Sequence, residues 1–174
     1  RPMTMHARFP ILWLTGNSGA GKTTLAKGVQ RRFNEYEMQS PLHRRVIVLA
    51  GNEMRASIST TETLSPADRR AHNLRVARLA SVLQSQGFLV IVSVIAPFIS
   101  VREEIDVLCQ PKWIYVQRSG LDAPNRPYEP PEEPDYTICI DNVFKKEGIE
   151  EFLRYIPEAT IIKQSHALPV GMTV

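Results

Sequence analysis

The residues with the clearest chemistry in this chain form a glycine-rich loop near its amino end. Residues 16–24 read Gly-Asn-Ser-Gly-Ala-Gly-Lys-Thr-Thr and match the pattern G-x-x-x-x-G-K-S/T. In such loops backbone amides surround phosphate oxygens, the lysine reaches the β- and γ-phosphates, and the hydroxyl after it ligates Mg²⁺. The pattern predicts a nucleoside triphosphate site, with Lys22 as a catalytic cation and Thr23 as the metal ligand. Its predicted members are Gly16, Ser18, Gly19, Ala20, Gly21, Lys22, Thr23 and Thr24.

The segments around the loop have the order that such a site requires. A short apolar run, Ile11–Leu14, precedes it as a strand, and residues 22 to about 33 follow as a helix. Further apolar runs at 45–50, 88–94, 113–116 and 136–140 predict four more strands. Because these runs are nearly continuous and rich in β-branched residues, we expect strands that are covered on both faces. The prediction is an α/β P-loop NTPase fold, a doubly wound five-stranded parallel sheet with helices on both faces.

Helix start signals lie between these strands. Ser65 is a candidate N-cap before a proline at the first helical position, and Gly87 ends the predicted helix. Ser100 begins a second capping-box pattern, and a last helix is expected from about 145 to 155. Two segments are predicted to be irregular: residues 51–64, which are polar, and residues 119–135, which contain five prolines.

Length and composition limit the other possibilities. The chain has 174 residues, 43% of them hydrophobic and 22% charged, with a formal net charge of +3. We expect a single domain over 1–174, with peripheral tails at 1–8 and 160–174. No long basic tract favours nucleic acid, and no run approaches the roughly 20 apolar residues of a membrane span. Cys109 and Cys139 lack metal-binding spacing, so we expect reduced core thiols in a cytoplasmic protein.

Several motifs beyond the loop carry a family resemblance. Residues 64–69 read Leu-Ser-Pro-Ala-Asp-Arg, residues 87–98 form an apolar run ending in Ile-Ala-Pro-Phe, and residues 128–132 read Tyr-Glu-Pro-Pro-Glu. Together with Arg102 and the phosphate loop, these motifs resemble the adenylylsulfate kinase family over about residues 10–155. That family phosphorylates the ribose 3′-hydroxyl of adenosine 5′-phosphosulfate with ATP. The resemblance implies ATP and Mg²⁺ as cofactors and a small nucleotide as acceptor.

The resemblance also implies where the acceptor binds. Arg55 and Arg69 match the family's substrate-binding arginines, and guanidinium groups suit anionic sulfate or phosphate. A helix asparagine of the family corresponds to His72, beside an asparagine at the next position. The turn after the third strand completes the predicted acceptor site. Its implied members are Arg55, Arg69, His72, Asn73, Ile95, Ala96, Pro97 and Phe98.

Two departures from the family pattern concern catalysis. The family's Asp-Gly-Asp sequence after the second strand is replaced here by Ala-Gly-Asn at 50–52. Glu53 is then the nearest carboxylate for a general base, and Asn52 is expected to orient a metal-bound water. The family's long, lysine-rich lid is reduced to residues 117–127, whose cations are Arg118 and Arg126. A short lid excludes less water and clamps substrate less firmly.

These departures leave three hypotheses open. The first is a kinase for adenosine 5′-phosphosulfate, and the second is a related kinase for another nucleotide-linked anion, such as a cytidine diphosphate derivative. The third is a catalytically impaired nucleotide-binding module. No Asn-Lys-x-Asp sequence is present to favour a GTPase. Family members often form dimers, which makes a homodimer the implied assembly.

Overall fold

A five-stranded parallel sheet forms the centre of the molecule. The computed structural model describes residues 8–122, 126–140 and 145–156. The predicted tails therefore lie almost wholly outside the described residues. The elements are β1 (Leu12–Thr15), α1 (Lys22–Glu35), β2 (Val46–Ala50), α2 (Gly51–Ser57), α3 (Pro66–Ser85), β3 (Leu89–Ser93), α4 (Ile99–Cys109), β4 (Lys112–Gln117), β5 (Tyr136–Cys139) and α5 (Lys145–Arg154).

The strand order determines which loops meet. The strands lie in the order β2-β3-β1-β4-β5, and every neighbouring pair is parallel. All five strands therefore end at the same edge of the sheet. In open α/β sheets, ligands bind beside the carboxyl ends of the strands, where the chain order reverses. Here that point is the end of β1, where the phosphate loop begins.

The side chains of β1, and of Ile11 directly before it, point alternately into two separate apolar layers. Leu12 and Leu14 pack into the layer beneath α1 and α5. Ile11 and Trp13 pack into the opposite layer, beneath α3 and α4. All four side chains are essentially inaccessible to solvent. The predicted doubly wound sheet, with each face covered by helices, is confirmed.

The two predicted N-caps have different outcomes. Ser65 caps α3 as expected, because its hydroxyl accepts a hydrogen bond from the Asp68 amide at 3.2 Å. Ser100 does not cap α4, because the helix begins at Ile99, two residues before the start that a cap at Ser100 predicts. The N-cap position is Phe98, whose side chain has no capping group. A distant carboxylate, that of Glu129, accepts the Ile99 amide at 2.7 Å instead.

The prediction that residues 51–64 are irregular is wrong for their first half. Residues 51–57 form α2, a helix in which no residue is buried. Two turns are too short to display a periodic apolar stripe, which is why the pattern was not visible. The supporting contacts come from Met54 and Ile58, which pack against the apolar layer beneath α3 and α4. These two residues are four apart and lie on one face of the helix.

The cysteine prediction is half correct. Cys109 is partly buried, whereas Cys139 is exposed, and both are free thiols. Cys139 lies on β5, the edge strand, where only Ile138 is buried. A strand at the edge of the sheet is less completely covered by helices than a central strand, so an apolar sequence there does not imply that every side chain is buried. Among the described helices, none combines the length and hydropathy needed to cross a membrane.

Candidate functional site

The phosphate loop depends on close packing at its first glycine. A Cβ atom on Gly16 would lie 2.3 Å from the carbonyl oxygen of Val116 on β4, so no larger residue fits. Gly21 has φ +98° and occupies the N-cap position of α1 without a side-chain cap. The first amides of α1 therefore have no intrahelical partners. These amides and the positive end of the helix dipole form an anion-binding site.

Lys22 is buried in this loop and holds its shape. Its Nζ donates hydrogen bonds of 2.8 Å to the carbonyl oxygens of Gly16 and Asn17. Only 5% of the residue is exposed, and this burial lowers the pKa of the ammonium group from 10.5 to about 8. Both partners of the buried ammonium group are neutral, so the phosphates of a bound nucleotide would give it a negatively charged partner.

Two hydroxyl groups lie together at the mouth of the loop. Thr23 Oγ1 is 3.0 Å from the Oγ of Ser93, the last residue of β3. Mg²⁺ prefers oxygen ligands and commonly combines one or two protein groups with water and substrate phosphates. Within the described part of the chain, no three His, Cys, Asp or Glu side chains form a metal-binding group. The hydroxyl pair therefore fits a metal held largely by nucleotide phosphates.

A cleft of about 550 Å³ opens beside the loop. Its walls are the loop, residues 50–53 and Arg55 around the start of α2, residues 93–95 and Arg118. Asn52 and Glu53 both line it, as the sequence predicts for the catalytic residues. Glu53 forms an ion pair with Lys27 of α1, and both side chains are about half exposed. The cleft therefore contains one carboxylate among its lining residues, and that carboxylate is already paired.

A second cleft, of about 250 Å³, adjoins the first. Three arginines, Arg55, Arg69 and Arg126, line it, and none of its described lining residues is a carboxylate. The two clefts share four lining residues, namely Ser18, Asn52, Arg55 and Ile95. A ligand in the second cleft would therefore lie directly beside the phosphate loop.

The guanidinium groups of this cleft lie close enough to influence each other. Burial and the nearby Arg55 both lower the pKa of Arg69, which is 9% exposed. Its Nε donates to the carbonyl oxygen of Leu64 at 2.8 Å, which fixes the guanidinium plane. Arg55 makes no side-chain hydrogen bond within the described residues. A cluster of positive charge without a carboxylate is suited to an anion.

His72 and Asn73 lie behind the second cleft rather than in its wall. Each is about 1% exposed. The His72 Nδ1 atom is 2.6 Å from Ser59 Oγ, while its Nε2 has no hydrogen-bond partner among the described residues. Burial, and then the positive charge of Arg55, lower the pKa of His72 to about 4. His72 is therefore a neutral buried residue beside the arginines.

The turn after β3 is only partly in contact with the clefts. Ile95 lines both of them, and its carbonyl oxygen accepts a hydrogen bond of 3.1 Å from the Asn73 amide group. Ala96 and Pro97 are buried beneath this surface. Phe98 packs against the apolar layer under α3 and α4. Of the four predicted turn residues, the structure thus brings Ile95 to the clefts and leaves the other three behind it.

The cleft residues that were not predicted as site members include Ser93, Arg118, Arg126 and Tyr128. Ser93 is the last residue of β3, and Arg118 is the first residue after β4. Both could have been predicted, because the carboxyl ends of the strands form the ligand-binding edge of the sheet. Arg126 and Tyr128 line the second cleft from a proline-rich segment. The Tyr128 hydroxyl is 2.8 Å from Thr15 Oγ1, directly before the loop. Tyr128 could have been found because it opens the Tyr-Glu-Pro-Pro-Glu motif.

Comparison with known sequences gives a consistent result. Residues 8–123 match the family model described as adenylylsulphate kinase. The chain is 29% identical to the adenylyl-sulfate kinase of Paraburkholderia xenovorans, over 86% of this chain and 94% of that protein. It is 28% identical to the adenylyl-sulfate kinase of Deinococcus deserti, over 84% of this chain and 90% of that protein.

Solved structures share the fold. An APS kinase from Mycobacterium tuberculosis superimposes with a TM-score of 0.66 at 25% identity, over 84% of this chain and 96% of that one. A hexameric APS kinase from Thiobacillus denitrificans gives a TM-score of 0.67 at 25% identity, over 91% of this chain and 29% of that one. A shikimate kinase from Acinetobacter baumannii, at 15% identity and a TM-score of 0.54, shares the fold alone.

Proposed function

The chain belongs to the adenylylsulphate kinase family and is an ATP-dependent kinase, and we propose that its acceptor is adenosine 5′-phosphosulfate. The reaction would transfer the γ-phosphoryl group of ATP to the ribose 3′-hydroxyl of the acceptor. The observation that carries this proposal is the second cleft, whose described lining has three arginines, no carboxylate and residues shared with the cleft at the phosphate loop.

On the donor side, the loop provides positioning and charge. The amides at the start of α1 would bind the β- and γ-phosphates, and the Lys22 ammonium group would move from its two carbonyl partners to the phosphates. Mg²⁺ would be held by Thr23, with Ser93 adjacent to it, and would supply further charge neutralisation. Phosphoryl transfer depends mainly on such positioning and electrostatic stabilisation.

On the acceptor side, Arg55 and Arg69 would bind the phosphosulfate group. Both are directed to one cleft, and a guanidinium group can form two parallel hydrogen bonds to such an anion. Because this cleft adjoins the loop at Ser18 and Asn52, an acceptor hydroxyl would face the γ-phosphate. His72 would pack behind the cleft as a neutral residue beside the arginines. The Asn73 side chain donates a hydrogen bond to the Ile95 carbonyl oxygen and so fixes this part of the cleft wall.

Glu53 is the proposed general base, and Asn52 would orient a metal-bound water. For Glu53 to accept a proton, its ion pair with Lys27 would have to open when both substrates are bound. Removing a general base commonly costs a factor of about 10² to 10⁴ in rate. We therefore expect Glu53→Gln to reduce kcat by at least about 100-fold, with Glu103→Gln, at an exposed position of α4 outside both clefts, as a control. An unchanged kcat would remove Glu53 from the mechanism.

The acceptor is tested directly by measuring ADP release with ATP, Mg²⁺ and a panel of nucleotides. We expect turnover that requires adenosine 5′-phosphosulfate and gives a 3′-phosphorylated product by mass spectrometry. Turnover with cytidine diphosphate derivatives alone would establish a different acceptor. Tight ATP binding without turnover on any acceptor would show an impaired nucleotide-binding module.

Two neighbouring arginines give a matched test of the acceptor cleft. Arg69 lines it, whereas Arg70 points away and pairs with Glu104 on the protein surface. Charge-assisted hydrogen bonds contribute about 1.5–3 kcal/mol, which corresponds to roughly 10- to 100-fold in affinity. Arg69→Lys should raise the KM for the acceptor by that factor, while Arg70→Lys should leave it unchanged. Equal effects would place the acceptor elsewhere.

A further inference from the structure

Arg102 is a buried charge that forms no ion pair with a carboxylate among the residues that the structure describes. It lies on the first turn of α4 and is 5% exposed. Other arginines of the described chain pair with carboxylates at the surface, such as Arg70 with Glu104. The Arg102 guanidinium instead donates to the backbone carbonyl oxygens of Ala96 and Glu129. Burying a charge in this way is costly unless it is fully hydrogen-bonded, so its position requires an explanation.

The two carbonyls belong to two different chain segments. Ala96 lies in the turn after β3, next to Ile95, which lines both clefts. Glu129 follows Tyr128, which lines the acceptor cleft. The guanidinium carbon of Arg102 also lies 5.5 Å from the centre of the Tyr128 ring, a cation–π distance. Arg102 therefore joins the turn after β3 to the far wall of the cleft.

Further bonds connect the same two segments. The Glu129 amide donates to the Pro97 carbonyl oxygen at 2.8 Å, and the Glu129 carboxylate accepts the Ile99 amide at 2.7 Å. Glu129 thus caps α4, the helix that carries Arg102. The Tyr128 hydroxyl, 2.8 Å from Thr15 Oγ1, extends this connection to the end of β1, one residue before the phosphate loop.

We infer that Arg102 is a positioning residue for the acceptor: it holds residues 126–129 as a fixed wall of the acceptor cleft at a set distance from the phosphate loop. This inference rests on the proposed kinase function and deepens it. The segment between β4 and this wall is short. The bonds of Arg102 therefore keep the wall permanently in place against the acceptor, a task that a long lid performs by closing. Arg102 itself does not line either cleft.

Steady-state kinetics of the full chain test this inference, with ATP and adenosine 5′-phosphosulfate varied separately. Arg102→Met should raise the KM for the acceptor about tenfold or more, with the KM for ATP and kcat changing by less than about twofold. Tyr128→Phe removes only the hydroxyl that contacts Thr15, and it should raise the KM for the acceptor by about threefold. The control, Arg70→Met, removes an exposed arginine that also contacts α4 and should change neither KM.

The outcomes separate this inference from the proposed function. If the wild-type protein is active and both variants retain its acceptor KM, or raise both KM values equally, the positioning role is wrong. If Arg102→Met does not fold, Arg102→Lys replaces it with the same expected rise in the acceptor KM, because lysine keeps the charge but lacks the planar fork that donates to both carbonyl oxygens. If the wild type binds the acceptor without turnover, the proposed function fails, and calorimetric dissociation constants replace KM in the same comparison. If the wild type does not bind the acceptor, both proposals are overturned.

Discussion

The low pKa of Lys22 predicts that nucleotide binding weakens at mildly alkaline pH. In the free protein, burial lowers the pKa of its ammonium group from 10.5 to about 8. About nine-tenths of the molecules then carry the charge at pH 7, and about one-tenth at pH 9. If only the charged form binds the phosphates, the dissociation constant for ADP should rise about tenfold between these pH values. At pH 8, binding should take up roughly half a proton.

Calorimetric titration with ADP at pH 7, 8 and 9, in two buffers with different ionisation heats, measures both quantities. Lys22→Arg keeps a positive charge throughout this range, so its affinity should not follow the same pH dependence. Lys112→Met removes an exposed lysine at the opposite edge of the sheet and should behave as the wild type. Equal wild-type affinities at pH 7 and 9, or a tenfold loss that persists in Lys22→Arg, would refute the reasoning.

Three stability predictions follow from other contacts. His72 has a folded pKa of about 4 against 6.5 unfolded, so stability is lost as pH falls through this window. His72→Asn should therefore reduce the loss of unfolding free energy between pH 7 and pH 5 by about 2 kcal/mol in urea titrations. Ser65→Ala should lower the unfolding free energy by about 1 kcal/mol, whereas Ser100→Ala, at the cap position that is not used, should change it by less than about 0.5 kcal/mol. Gly16→Ala places a Cβ atom against the Val116 carbonyl oxygen and should abolish the stabilisation by ADP in thermal unfolding; a preserved shift would contradict the packing.

The sheet could be predicted because its sequence signal is local and strong. Leu12 and Trp13 are both apolar although they face opposite layers, and only a strand covered on both sides requires this. The start of α4 could not be predicted in the same way. Its cap is Glu129, which is distant in sequence, so the local pattern at Ser100 gave the wrong first residue.

The phosphate loop could be predicted because its backbone conformation restricts which residues fit. The acceptor cleft was harder to predict because it is formed by segments that meet only in the folded protein. Glycine spacing alone identified the loop, because close approach and positive φ limit the residues allowed there. The acceptor cleft also depends on Arg126 and Tyr128, whose segment returns to β1 through a contact with Thr15. The hydrophobic periodicity of a sequence does not indicate that a distant segment will contact β1 in this way. Likewise, the sequence could not distinguish Ile95, in the wall, from Phe98, in the core.

The central place of β1 has a consequence for how the chain matures. Its partners are β3 and β4, so that Leu12 is paired with both Ile91 and Lys112. During synthesis this apolar strand therefore stays unpaired until the segments around Ile91 and Lys112 have been made. Such long-range pairing slows folding. The loop that follows β1 packs Gly16 against Val116 of β4, so a chain truncated before β4 should not bind nucleotide.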